Sequence, residues 1–521
     1  MSRILWHLLR ADFLERVRRY SFLVTLLFAA GLGYLVSVGA IKLWIGNARG
    51  VYDSAWVGAL TAMVVNSFLS LAGFYVIKNA VERDRQTGVG QILASTPMSK
   101  PLYTLGKTAS NLAVLGAMVG VLAVFAVVTQ WVVGEDARVH LWPLLSPFLL
   151  LALPVMALVA ALTVLFETIP WLRGGFGNVV WFFLWTAMMA VPVASPGKVP
   201  DPIGMTLVAQ DMQDELDARF GKADRGFILG GMPKEDEAKA QVFRWQGMDW
   251  TPALVLGRLS WFALAVGISL IAALFFDRFD PAKGRMRLPK RKRKGKLEVE
   301  EAALPALPEH VTLTPLTPLT PGSAFRFPGV LAAELRLALK GQPWWWYAVS
   351  GGLIIAGLTA PVQGVRQIVL PLAWIWPLLI WSPMGNRESR FGTGELLFSA
   401  PHPVGRQLPA VWMAGVLVAA AMGGGAAVRY GIGGDFTALA AWMVGALFIP
   451  TLALALGVWS GSSKLFEAVY LFLWYIGPMN HTPELDYLGA TGRGQPLLWL
   501  AATALLAAAA AAGRKWQLHR D

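Results

Sequence analysis

Residues 82–107 read ERDRQTGVGQILASTPMSKPLYTLGK, a polar, glycine-punctuated stretch between two long apolar runs. A second version stands at 387–405, RESRFGTGELLFSAPHPVG. With Pro97 set against Pro401, the fifteen positions starting at Arg83 and Arg387 contain six identities: Arg83/Arg387, Gly88/Gly392, Gly90/Gly394, Leu93/Leu397, Ser95/Ser399 and Pro97/Pro401. Asp84/Glu388, Gln91/Glu395 and Ile92/Leu396 are conservative replacements. About one identity is expected by chance at ordinary residue frequencies. The chain is therefore organised as two related halves around two copies of one polar element.

Outward from that element the chain is apolar. Of its 521 residues, 55% are hydrophobic and 15% charged, where a soluble domain carries about 25% charged residues. Apolar runs recur that are long enough to cross a hydrocarbon core about 30 Å thick at about 1.5 Å per residue. They lie near 21–44, 56–78, 107–133, 141–166, 176–194 and 252–276, then near 344–361, 366–384, 409–428, 436–459, 465–479 and 496–512. The expected fold is all-α: a polytopic membrane protein of about 12 transmembrane helices in two parallel six-helix repeats. Further echoes support the duplication. Val180-Trp181-Phe182-Phe183-Leu184-Trp185 matches Val469-Tyr470-Leu471-Phe472-Leu473-Trp474, and Pro154 and Pro450 fall in corresponding spans.

Amphipathic segments at 1–20 and near 327–343 predict helices lying at the membrane surface. The domain boundaries follow: a first repeat over 1–280, a linker over 281–325 and a second repeat over 326–521. The linker begins with nine Lys/Arg between Lys283 and Lys296, a cytoplasmic run that either touches anionic lipid or only fixes topology, and becomes acidic and then proline-rich over 298–322, a composition for an extended segment. The net charge of +13 sits beside apolar runs, which points to topology and not to nucleic acid. Both termini and both polar loops then fall on the cytoplasmic side of a bacterial inner membrane. The stretch 195–251 falls outside as a small subdomain, with DMQDELDARF and PKEDEAKAQVF expected to be helical.

Several chemistries are excluded. Zero cysteines remove disulfides, thiol catalysis and Cys-ligated metals. The only GKT, Gly106-Lys107-Thr108, has Pro101 where a phosphate loop needs glycine. The chain thus has no ATPase site of that kind, and no cofactor or metal set is evident. Lys42, Lys78, Glu167, Arg429 and Glu467 stand near span ends, where long side chains are expected to reach the interface. Span interiors otherwise lack ionisable residues, which counts against an ion-coupled carrier.

Within the loop, Gly88 and Gly90 permit a sharp turn, Gln91 to Ser95 form about one helical turn, and Pro97 ends it. A stiff, charged projection of this kind suits docking on a partner. The stretch resembles the signature loop of ABC-2 type exporter permeases: Glu82, Thr87, Gln91, Leu93, Pro97, Gly106 and Lys107 fit that pattern. Glu388, Gly392, Glu395, Leu397 and Pro401 fit it in the second copy, where Ala410-Val411 replaces Gly-Lys. The resemblance implies a permease powered by separate ATP-binding subunits that hold ATP–Mg, with membrane lipid as surroundings and a second permease chain as a further partner it allows. It implies docking contacts at Glu82, Arg83, Asp84, Gln91, Arg387, Glu388 and Glu395, with Gly88, Gly90, Pro97, Gly392, Gly394 and Pro401 shaping the loops. The rival is a secondary carrier of the major-facilitator type, whose loop motif Asp84-Arg85-Gln86-Thr87-Gly88 partly resembles; Val89-Gly90-Gln91 then stand where that motif needs basic residues. A membrane scaffold or sensor using 195–251 is a third class.

Overall fold

The computed structural model describes residues 2–18, 20–39, 41–136, 138–221, 226–230, 241–279, 327–395, 399, 403–479, 483–490 and 495–518. The 281–325 linker and the first part of PKEDEAKAQVF lie outside them. In chain order the first half contains α1 (Ser2–Val17), α2 (Tyr20–Ser37), and α3, which runs through Ser54–Val64, a π-bulge at Val65–Leu69 and Ser70–Ile77. Then come the short α4 (Ala80–Gln86) and α5 (Val89–Ser95), α6 (Lys100–Val133), α7 (Leu141–Thr168, with a π-bulge at Phe148–Ala152), α8 (Gly175–Ala194), α9 (Met205–Phe220) and α10 (Pro252–Phe275). The second half contains α11 (Phe327–Leu339), α12 (Trp344–Thr359), and α13, a broken segment of Val362–Gly364, a π-bulge at Val365–Val369 and Leu370–Ile375. After these come α14 (Leu378–Trp381), α15 (Arg387–Phe391), α16 (Pro403–Ile432), α17 (Phe436–Ser460), α18 (Ser463–Trp474, continued by a π-bulge at Tyr475–Met479) and α19 (Pro496–Leu518).

Among the described residues, eight helices are long and apolar enough to cross a membrane: Ser54–Gln86, Lys100–Val133, Leu141–Thr168, Gly175–Ala194, Pro252–Phe275, Val404–Ile432, Phe436–Ser460 and Pro496–Leu518. The protein is a polytopic helical membrane protein. Four of the expected spans are instead shorter or interrupted helices. Leu370–Ile375 gives way to Pro377, whose missing N–H and fixed φ break the segment before α14 starts. The helix of the first expected span stops at Ser37, because Lys42–Ile45 is a β-strand.

That strand corrects a purely α reading. β1 (Lys42–Ile45), β2 (Ala48–Gly50), β3 (Phe227–Gly230) and β4 (Gln241–Phe243) form a sheet in the order β3-β1-β2-β4. Gln241–Phe243, expected to be helical, pairs in parallel with β2. DMQDELDARF does lie in a helix, α9. The sheet joins the first inter-span loop to the 195–251 insertion, and the bidentate contact of Arg49 with Glu135 (3.2 and 2.9 Å) ties the end of α6 to it.

Helix starts follow local chemistry. Asp53 accepts the Trp56 N–H, Ser99 that of Leu102, Thr251 that of Leu254 and Asp435 that of Ala438, each satisfying an otherwise orphaned donor. Between helices, indole N–H groups bond carbonyl oxygens of neighbouring helices: Trp181 to Leu71, Trp374 to Ala419, Trp381 to Gly415 and Trp474 to Pro371. In an apolar medium such donors have no water to fall back on. One contiguous apolar core runs through both halves.

Candidate functional site

The first loop is built on the end of α3. Lys78 is extended and Asn79 is left-handed (φ 81°), which turns the chain sharply into α4. The first N–H groups there, of Asn79, Ala80 and Val81, all donate to the Glu167 carboxylate of α7, at 2.7, 3.1 and 2.6 Å. A buried carboxylate thus caps the start of α4. Thr87 closes α4 by donating its hydroxyl to the Arg83 carbonyl. Gly88 (φ 76°) then reverses the chain into α5, and a Cβ on Gly90 would meet the Phe279 ring at 2.6 Å. Gly392 is left-handed as well (φ 62°).

Beneath α4 and α5 lies a buried ion cluster. The Lys107 ammonium, its side chain 2% exposed, lies 2.8 Å from Asp12 Oδ1 on α1 and 2.7 Å from Asp84 Oδ2 on α4. The Tyr103 hydroxyl donates to Asp84 at 2.7 Å, and Arg83 contacts Asp12 at 2.8 Å and Glu15 at 3.0 Å. On the other flank Arg85 grips Asp277, beyond the end of α10, at 3.0 and 2.9 Å, with Arg173 at 3.3 Å. Burial pushes the Asp277 carboxyl upward. The hydrogen bond and charge of Arg85, the Phe279 N–H and the charge of Arg173 outweigh that and hold it below the usual carboxylate range.

The second copy is braced in the same way with a different cation. Arg387 contacts Glu334 of the amphipathic α11 at 2.9 Å, as Arg83 contacts Asp12 of α1. Glu388 corresponds to Asp84, but the position of Lys107 is held by Val411. The compensating charge arrives from the last helix: Arg514 of α19 lies 3.2 Å from Glu388, and Gln407 donates to it at 3.3 Å. The basic segment after 512 therefore continues as helix and turns a guanidinium inward.

These placements sort the predicted docking residues into two groups. Arg83, Asp84, Arg387 and Glu388 are engaged from within; Asp84 and Glu388 are buried, and all four hold the loops to the amphipathic helices and spans. Glu82 is partly exposed and contacts Arg85 and Gln86, while Gln91 and Glu395 are exposed. Pro97 is exposed just before the cap of α6, and Pro401 lies outside the described residues, as does Leu397. Gly394 stands in the short helical turn with Glu395. Three apolar side chains missed by charge-based reasoning face out beside them: Val89 and Ile92 on α5, the latter 67% exposed, and Phe391 on α15, also 67% exposed. Asp12 and Glu334 were missed too, although Ala11-Asp12 and Ala333-Glu334 occupy like places in the two amphipathic segments.

A second polar cluster joins the halves. Asn178 on α8 and Glu467 on α18 occupy equivalent places in the aligned aromatic segments, and the Asn178 amide donates to the Glu467 carboxylate. Lys78 donates to the Asn178 amide oxygen at 2.5 Å, and Ser382, at the place equivalent to Lys78, donates to Glu467 at 2.5 Å. Lys464 reaches across to the carbonyls of Tyr75 and Lys78, at 3.2 and 2.6 Å. Aromatic contacts continue the seam: Phe68 with Phe472, Phe182 with Tyr475 and Phe183 with Trp474. Lys78, Glu167 and Glu467 do not reach for the membrane interface as expected; each is buried among polar partners, because inward hydrogen bonds satisfy them. Among the described residues there is no group of His, Asp and Glu able to hold a metal ion. Comparison with family models, curated proteins and solved structures found no match.

Proposed function

We propose that this chain is the membrane-spanning component of an ATP-driven exporter of the ABC type, powered by separate ATP-binding subunits that dock on the loops at 82–107 and 386–408. The observation that carries this reading is the duplicated loop and its duplicated bracing. Each copy is tied by an Arg–carboxylate pair to an amphipathic helix, and by a buried cation to the spans, while a short, partly apolar segment is left facing out. A load applied at that segment reaches the spans through ion pairs and a helix cap, with little slack. The resemblance to ABC-2 type permeases supports the same role.

In this account the twelve helical segments form two parallel six-span repeats, with four spans short or broken, and both termini and both loops face the cytoplasm of a bacterial cell. The cargo path lies along the seam between the halves. Partner contact falls on Glu82, Val89, Gln91, Ile92, Phe391 and Glu395, with Arg83, Asp84, Arg387 and Glu388 as struts behind it. ATP–Mg binds on the partner.

The test is co-purification with an ATP-binding subunit from native membranes, and stimulation of its ATP hydrolysis. Ile92→Asp together with Phe391→Asp is expected to abolish both and leave thermal stability unchanged. Unaltered association and stimulation refute the docking surface. Transport that survives ATP depletion and stops with an uncoupler supports the ion-coupled carrier instead.

A further inference from the structure

We infer that Lys78, Asn178, Glu467 and Ser382 form a latch that holds the two halves together and is released by movement of the first docking loop. The chain of hydrogen bonds is continuous, from Lys78 through the Asn178 amide to the Glu467 carboxylate and on to Ser382. Only its central link, Asn178 to Glu467, crosses between the halves. The residues are equivalent in pairs, Asn178 with Glu467 and Lys78 with Ser382, so the contact is nearly self-complementary, as at a two-fold interface. The four side chains are between 0% and 5% exposed.

Burial gives the contact two stable settings. Closed, the carboxylate has its donors. Parted, it keeps Ser382 but loses the Asn178 amide and must find water or another donor in its place, and inside a membrane segment an unsatisfied group is costly. The seam is thus bistable and does not slide.

The link to the loop is covalent. Lys78 is followed by left-handed Asn79 and then by α4, so a displacement of α4 pulls directly on the residue that anchors the latch. Lys464 strengthens this coupling by holding the Lys78 carbonyl from the opposite half. The identity of the driver, a partner pulling on α4 and α5, rests on the proposed function; the latch itself does not.

The chain has no cysteine, so Gln91→Cys and Ser389→Cys place spin labels on two exposed loop positions of the intact protein without further changes. Distances between them are measured in lipid nanodiscs with no partner subunit present. Asn178→Leu removes the donor that reaches the Glu467 carboxylate across the seam, leaving it Ser382, and is expected to raise the ratio of long to short distances about tenfold or more. Asn178→Leu with Glu467→Leu makes the crossing contact apolar and is expected to return the distribution to that of the parent. If Asn178→Leu does not fold, Glu467→Leu, which removes the acceptor of the crossing bond, takes its place and must show the rise. A single variant indistinguishable from the parent, or a double variant as open as the single, overturns the latch. Because no ATP-binding subunit is present, either result is independent of whether docking occurs.

Discussion

Lys107→Met removes the ammonium that pairs with Asp12 and Asp84 beneath the first loop. It leaves Asp12 and Asp84, both buried, without a charge that now lies 2.8 and 2.7 Å away. Breaking a buried pair from one side costs about 3–5 kcal/mol. Arg83 remains 2.8 Å from Asp12 and 3.8 Å from Asp84, which places the loss near the lower end, about 3 kcal/mol. At about 1.4 kcal/mol per tenfold change, opening of α4 and α5 becomes roughly 100-fold more frequent. Hydrogen exchange of the amides in Ala80–Gln86 and Val89–Ser95 reads this directly. Adding Asp12→Asn and Asp84→Asn removes the stranded charges and is expected to restore most of the protection. Exchange at the parent rate in the single variant, or no recovery in the triple, refutes the assignment of Lys107 as the cation that anchors the loop.

The same logic predicts that Arg514→Met loosens the second loop around Glu388 and leaves exchange in the first loop unchanged, although residue 514 is more than a hundred positions away in sequence. Gly88→Ala and Gly392→Ala place a Cβ in left-handed backbone at φ 76° and 62°; each is expected to lower stability by about 1 kcal/mol in thermal unfolding. Asp277→Asn removes a carboxylate held below its ordinary range, chiefly by Arg85 acting against burial. A depressed carboxylate contributes stability that is present above its unfolded pKa, about 3.9, and is lost as pH falls through the lower folded value. The variant is therefore expected to be less stable at pH 7, by about 1.5–3 kcal/mol, with the gap closing in unfolding curves taken below about pH 4. A gap that widens toward acid contradicts that sign.

Much of this architecture could be read from sequence because a bilayer imposes long apolar helices. The duplicated loop stood out since a polar repeat is conspicuous in an apolar chain. What escaped depended on distant partners. Lys42-Leu43-Trp44-Ile45 reads as the end of a span until Phe227–Gly230 is brought beside it. Ile45 pairs with Phe227, a register no local pattern encodes. The charges of Asp84 and Glu388 suggested a surface, and only Asp12, Lys107 and Arg514, from other helices, turn them into struts. Glu467 has the same chemistry whether it reaches the interface or turns inward. Asn178 and Ser382 decide it, and neither is near it in sequence.

The central claim is that α5 and its counterpart beside Glu395 meet an ATP-binding subunit. In this naturally cysteine-free chain, Gln91→Cys and Glu395→Cys provide single reactive positions on the two loops. A short photoactivatable cross-linker on each is expected to capture an ATP-binding subunit from native membranes, with the yield changing on ATP addition. Absence of any such adduct from both positions, in membranes where the subunit is present and the chain transports, contradicts the account.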